Sequence, residues 1–305
     1  MEQKKYMDIV RLGHKTTLGV LNVGDHIIIQ EKLDGANASF RKIGDAIHAF
    51  SRNKELSEEN TLGGFYQMIT NHPDLLENIS EKYIFFGEWL NPHKVKYPEH
   101  QKTFFLYDIY DTEACRYLPF ENVKDAGEIL GFNVVPVFYE GEYISFEHLQ
   151  SFVGRSDLGG MLGEVLTGEG IVVKNVDFID RYGRQVFVKL VTDAFREVQK
   201  QKAPKDPKIE LTQEQIFIQS VVTEPRIEKF LYKFVDEGIL DEHFGIEDMG
   251  TILKNMNTRI YEDVMKEEAD MLPDQYDDKQ LRKSISRVVV NKVKKILQEK
   301  ESVVA

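Results

Sequence analysis

The sequence predicts an α+β fold of mainly antiparallel sheets with flanking helices, followed by an all-α domain. Three observations carry this. Strand-like runs fill residues 1 to about 200. They do not alternate regularly with helices, as a parallel sheet would require. Beyond about residue 212 only segments of helical period remain.

The strand-like runs are HIIIQEKL at 26–33, AIHAFS at 46–51, KYIFFGEWL at 82–90, TFFLYDIYD at 103–111, GIVVKNV at 170–176 and QVFVKLV at 185–191. Each is rich in β-branched or aromatic residues and is bounded by Gly, Asn or Asp. TLGGFYQMITNH and FENVKDAGEIL read as helices between them. QKQKAPKDPKIELT, 199–212, is polar with two prolines and reads as a linker. TQEQIFIQSVV, EPRIEKFLYKFVDEG, IEDMGTILKNMNTRIYEDVMKEEADM and DKQLRKSISRVVVNKVKKILQEK follow. Leu253, Met256, Ile260 and Val264 set a helical step there. Two domains are expected, 1–204 and 205–305.

Cys115 is the sole cysteine, which excludes an intrachain disulfide and fits a reducing compartment. The first residues, MEQKKYMDIVRLGHK, lack the apolar run of a signal peptide, and no stretch reaches the ~18 apolar residues of a membrane span. The expectation is an intracellular, cytoplasmic protein with no membrane and no obligate protein partner. Net charge is −12, which at first opposes a nucleic-acid partner. Screening over roughly 8 Å at physiological salt makes the local patch matter more than the total.

Five short segments carry candidate chemistry. Glu31-Lys32-Leu33-Asp34-Gly35 stands where a strand-like run ends, and Ser51-Arg52-Asn53 follows the next. Phe86-Gly87-Glu88 ends an apolar run. Glu169-Gly170-Ile171-Val172-Val173-Lys174 opens another, and Phe187-Val188-Lys189 closes the last. Any one reads equally well as a solvated charge at a strand end. The order and spacing of all five resembles the covalent nucleotidyltransferase superfamily of ATP-dependent DNA ligases, RNA ligases and mRNA capping enzymes.

That resemblance makes Lys32 the acceptor of AMP. A lysine attacks phosphorus only when deprotonated, and its free pKa is about 10.4. Carboxylates next to it would raise that value, so they act by holding a metal. Asp34, Glu88 and Glu169 are hard oxygen ligands suited to Mg²⁺ or Mn²⁺ through retained waters. Lys174 and Lys189 suit phosphate oxygens, and the Arg52 fork suits an RNA 5′-phosphate. Gly35 and Gly170 allow backbone close to the nucleotide. By the same resemblance Tyr107 in FFLYDIYD stacks on adenine, Val172 covers its other face and Glu31 reads its edge.

Within the superfamily the sequence is most similar to the nick-sealing, double-strand-specific RNA ligases of phages, relatives of the trypanosome RNA-editing ligases. EKLDGANASF, with Asn37, matches their nucleophile motif, and FFGEWLNP with FFLYDIYD their third motif and its sequel. SVVTEPRIEKFL and FGIEDMGTILKNM resemble their C-terminal domain. The resemblance implies a ligase that uses ATP and a divalent metal to join RNA 3′-hydroxyl and 5′-phosphate ends, notably at nicks in duplex RNA. Some members carry histidine where Asp34 stands. The last motif often reads Lys-x-Lys; here it is Lys189-Leu190-Val191, so its second lysine is missing, and Lys174 or Arg184 are candidate substitutes. A DNA ligase or capping enzyme is the first rival, but five strands of a β-barrel cannot be found after residue 200. A catalytically inactive RNA-end-binding protein is the second.

From Lys279 to Lys300 there are eight basic residues and one acidic residue, Glu299. Lys279, Arg282, Lys283, Arg287, Lys292, Lys294 and Lys295 interleave with Leu281, Ile285, Val288, Val289, Val293 and Ile296. The pattern fits either a solvated helix face or an RNA phosphate contact. Lys94 and Lys96 are weaker candidates for that contact.

Overall fold

The computed structural model describes residues 3–73, 75–197 and 211–304, with side chains to 300. The chain divides into two compact units, Met1–Thr192 and Asp193–Ala305. The expected boundary at 204/205 and most of the expected linker lie outside the described residues.

In the first unit the strands are β1 (Val10–Arg11), β2 (His26–Lys32), β3 (Ala36–Ile43), β4 (Ala46–Ser51), β5 (Tyr83–Trp89), β6 (Phe104–Asp111), β7 (Arg116–Tyr117), β8 (Asn133–Val134), β9 (Val137–Glu142), β10 (Met161–Leu162), β11 (Val165–Leu166), β12 (Gly170–Ile179) and β13 (Gln185–Val191). The helices are α1 (Phe65–Thr70), α2 (Leu75–Asn78), α3 (Phe120–Leu130) and α4 (Phe146–Gln150). Among the described residues one sheet runs β1-β13-β12-β2-β9. A second runs β4-β3-β5-β6-β7, with β8 beside β6, and β10-β11 form a hairpin. Pairing is antiparallel except β1 with β13 and β6 with β8, so the α+β class with mainly antiparallel sheets is what forms.

Side chains alternate across each strand, and this alternation makes two cores. On one face of the first sheet Ile27, Ile29, Ile171, Val173 and Val188 pack with Val20 and Leu149. On the other face Val172 and Phe187 pack with Ile84 and Phe86 of β5, Tyr117 and Tyr6. The two sheets therefore meet face to face, and the space between them beyond this core holds the candidate site.

The second unit is built of α5 (Gln213–Val221), α6 (Glu224–Asp236), α7 (Met249–Glu267) and α8 (Asp278–Val304). Thr212 and Gln215 form a capping box on α5, and Thr223 caps α6 with a proline in its first turn. Ile252, Met256, Ile260 and Val264 of α7 and Leu281, Ile285, Val289, Val293 and Leu297 of α8 recur every four residues and are buried together. Leu253 lies at the edge of that core. No described helix is long and apolar enough to cross a membrane.

Candidate active site

Lys32 is the last residue of β2, and the register sets it opposite Gly170, the first residue of β12. Val172 pairs with Gln30 on one side and Lys189 on the other. Residues two apart share a face, so Lys32, Val172, Lys174 and Lys189 all point toward the second sheet. β3 and β5 bring the opposing groups, with Asn37 paired to Glu88 and Ala36 to Trp89. The glycines of these motifs serve the sheets themselves. A Cβ on Gly170 would lie 2.1 Å from the Leu190 carbonyl oxygen, and one on Gly35 2.6 Å from that of Trp89. At both positions the missing Cβ lets the neighbouring strand approach closely.

Five ionisable side chains meet here. Lys32 Nζ donates to Glu169 Oε2 at 2.6 Å. Glu88 Oε1 accepts the Gly35 N–H at 3.1 Å. Asp34 Oδ2 accepts the Val95 N–H at 2.7 Å, while His93 Nδ1 lies 3.5 Å from Asp34 Oδ1. Burial alone would lower the Lys32 pKa, but Glu169, Glu88 and Asp34 outweigh it and raise it, so the resting side chain is an ammonium. Burial pushes Glu88 up to about 8 against the pull of Lys32 and His93, and raises Glu169 as well. Asp34 would also rise by burial, but His93, the Val95 N–H and Lys32 hold it below the ordinary carboxylate value.

Asp34 and Glu169 outnumber the Lys32 ammonium, and Glu88 adds a third charge above about pH 8; these oxygen donors suit a divalent cation. Their oxygens do not converge within 4.8 Å of one another, so a ligand set of all three in direct contact is not formed; longer reach through water fits the donors better.

Other expected site residues are engaged by neighbours. Lys174 is buried, with Nζ 2.8 Å from Asp108 Oδ1 and 3.0 Å from the Tyr107 carbonyl. It is thus taken up by a carboxylate and is not presented as an open phosphate clamp; burial lowers its pKa despite that partner. The Tyr107 ring packs 4.8 Å from Tyr6, and its hydroxyl meets Asn37 Nδ2. Arg52 Nη2 lies 2.6 Å from Asp8 Oδ1. Glu31 is held on the other side of its strand. It adjoins Lys32 in an extended strand and so turns to the opposite face, where Ser156 Oγ (2.6 Å) and the Asp157 N–H (2.9 Å) hold its carboxylate. Arg184 pairs with Asp180 at 2.8 Å on a turn, away from the strand face that carries Lys189.

The sequence model of the RNA ligase family matches residues 25–191, which contain all five motifs. The chain belongs to the RNA ligase family. No curated protein matches it. Solved structures of Naegleria gruberi RNA ligase are similar. A variant with ATP and Mn shares 20% identity over 61% of this chain and 57% of its own, with a TM-score of 0.42. The same ligase with PPi gives 23%, 61%, 57% and 0.43. A variant with AMP and Mn gives 23%, 63%, 57% and 0.45. The chain thus spans 57% of the length of that ligase in each of these three structures.

Within this RNA ligase-family chain, sequence reasoning missed His93, Tyr97 and Asp108. Tyr97 Oη accepts the Asp34 N–H at 3.2 Å. His93 and Tyr97 lie in the loop after β5, and a histidine five residues beyond Glu88 was their one visible sign.

Proposed function

We propose that this chain is an ATP-dependent RNA ligase that seals 3′-hydroxyl and 5′-phosphate ends, chiefly at nicks in duplex RNA, through lysyl-AMP on Lys32. The supporting observation is the Lys32 ammonium 2.6 Å from Glu169, in a cleft shared with Glu88 and Asp34. In this reading Lys32 Nζ, positioned by its bond to Glu169 Oε2, releases its proton to solvent. The freed lone pair attacks the α-phosphorus of ATP, a P–N bond forms, and pyrophosphate leaves. An oxygen of the RNA 5′-phosphate, held by Arg52, then attacks the same phosphorus and Lys32 is released. Finally the RNA 3′-hydroxyl attacks the 5′-phosphorus, a phosphodiester forms and AMP leaves. A divalent Mg²⁺ or Mn²⁺ held by Asp34, Glu88 and Glu169 would lower the Lys32 pKa and offset phosphate charge.

Tyr107 and Val172 bracket the adenine, and Lys189 takes phosphate oxygens. Lys174 serves by fixing β6 through Asp108 and the Tyr107 carbonyl, and reaches phosphate only by leaving them. Residues 1–204 carry the nucleotide chemistry and 205–305 the RNA engagement. Incubation with α-labelled ATP and magnesium should give an alkali-stable, acid-labile adduct of one AMP per chain, and Lys32→Ala should give none. A labelled alanine variant would falsify the assignment.

A further inference from the structure

Residues 3–8 form a strap across the turn that carries Arg52. Gln3 Nε2 donates to the Ser51 carbonyl at 2.7 Å and Lys5 Nζ to Asn53 Oδ1 at 3.0 Å, one on each side of Arg52 in sequence. Tyr6 is buried, bonds Asp108 and packs on Tyr107. The Met7 N–H donates to Tyr117 Oη at 3.0 Å. Asp8 follows these anchors, and its Oδ1 meets Arg52 Nη2 at 2.6 Å. This last contact differs from the others. Its side chains are 49% and 32% exposed, so it can open while Tyr6 and Met7 keep the strap in place.

We propose that Asp8 is a placeholder anion that occupies Arg52 until a 5′-terminal RNA monophosphate displaces it. The inference rests on the reading of Arg52 as the holder of that phosphate. A carboxylate carries one negative charge and two oxygens. An internal phosphodiester also carries one charge, so it gains little by replacing Asp8. A terminal monophosphate carries about −1.5 to −2 at neutral pH and three acceptor oxygens, and the guanidinium fork can take two of them at once. Only the terminal group outcompetes the resident carboxylate by charge. Exposed ion pairs shift an equilibrium by at most about fivefold, so Asp8 holds the resting arginine without shutting the site.

The test uses the full chain without ATP and two nicked duplex RNA probes, one with a 5′-phosphate at the nick and one with a 5′-hydroxyl, read by fluorescence anisotropy. The parent should prefer the phosphate probe. Asp8→Asn should bind the phosphate probe about three- to fivefold more tightly and the hydroxyl probe with a smaller gain, so the preference rises. In an Arg52→Gln background the same substitution should change nothing. Asp8→Ser, with melting temperatures for each variant, guards against misfolding. A preference that is unchanged or smaller in both Asp8 variants overturns the proposal, as does a parent with no preference, or an equal effect without Arg52. Failure of the parent to form lysyl-AMP sinks the ligase reading by a separate readout.

Discussion

The chain buries two clusters of charge, and they are built on opposite terms. In the helical unit Arg226 is fully buried. Its guanidinium meets Glu197 at 3.1 Å, Asp263 at 3.1 Å, Glu268 at 2.8 Å and the Val221 carbonyl at 2.6 Å, and Lys229 adds bonds to Glu197 and Asp263. Burial alone would make both bases easier to deprotonate, yet the surrounding carboxylates hold both more firmly charged than usual. Glu197, Asp263 and Glu267 place oxygens within 4.8 Å of one another, but the two bases already fill the space between them. In the cleft between the sheets, by contrast, three carboxylates share Lys32, and Glu88 is driven up to about 8 for want of compensation. A closed cluster fixes helices; a cluster left short of positive charge is ready for a cation, a phosphate or a proton transfer.

The contrast can be broken by experiment. Arg226→Met removes the centre of the closed cluster and strands its carboxylates, which should lower stability by about 3–5 kcal/mol. Urea denaturation followed by circular dichroism measures this, and a drop below about 1 kcal/mol would make the network ornamental. Lysyl-AMP formation should persist in that variant, because the nucleotide motifs all lie before the second unit.

Glu88→Gln should act the other way. The Glu88 pKa rises from 4.5 to about 8 on folding, so at intermediate pH the folded chain keeps a proton that the unfolded chain has released. The attached stability is complete below about 4.5 and drains away as pH climbs through 8. The glutamine variant should lose adenylylation yet exceed the parent at pH 9 by on the order of 2 kcal/mol. A parent whose melting temperature is as pH-sensitive as the variant's between pH 6 and 9 contradicts an undercompensated Glu88.

The smallest expected effect concerns α8. Arg282 pairs with Asp278 at 2.7 Å and lies over Tyr261, and Lys295 pairs with Glu224 at 2.7 Å. Lys279, Lys283, Arg287 and Lys294 are exposed, form no ion pair among the described residues, and fall on one face at four- and seven-residue steps. Changing these four to glutamine should flatten the log-log salt dependence of duplex RNA binding by about 0.7–0.9 for each phosphate no longer neutralised. Arg282→Gln with Lys295→Gln should change the slope less. Equal slopes in both variants would mean that net charge, and not this face, governs binding.

Much of this was legible in the sequence and some was not, for physical reasons. The six strand-like runs became β2, β4, β5, β6, β12 and β13, and FENVKDAGEIL matches α3 residue for residue. β3 escaped notice because its polar positions Asn37, Ser39 and Arg41 dilute the apolar ones, and β9 because it holds two glutamates and a glycine. The lysines facing the cleft follow from strand alternation alone. That rule also places Glu31 opposite Lys32, a consequence the motif resemblance obscured. Pairings such as Lys174 with Asp108, 66 positions apart, and Asp34 with the Val95 N–H, 61 apart, come from which strands and loops lie side by side, and no local pattern encodes that.

The pairing of Lys32 with Gly170 carries a last consequence. Lys32 and Glu169 come from strands locked by a hydrogen-bonded ladder, so deleting one residue inside β2 would leave the composition of the chain almost untouched while rotating every later side chain of that strand by half a turn. Leu33 would then stand in the nucleophile's place, and Glu31 would face the cleft where Gln30 now stands. Such a protein could still fold and still bind ions, but its reactive amine would be buried on the wrong side of a wall. The chemistry of this chain depends on counting as much as on residue identity.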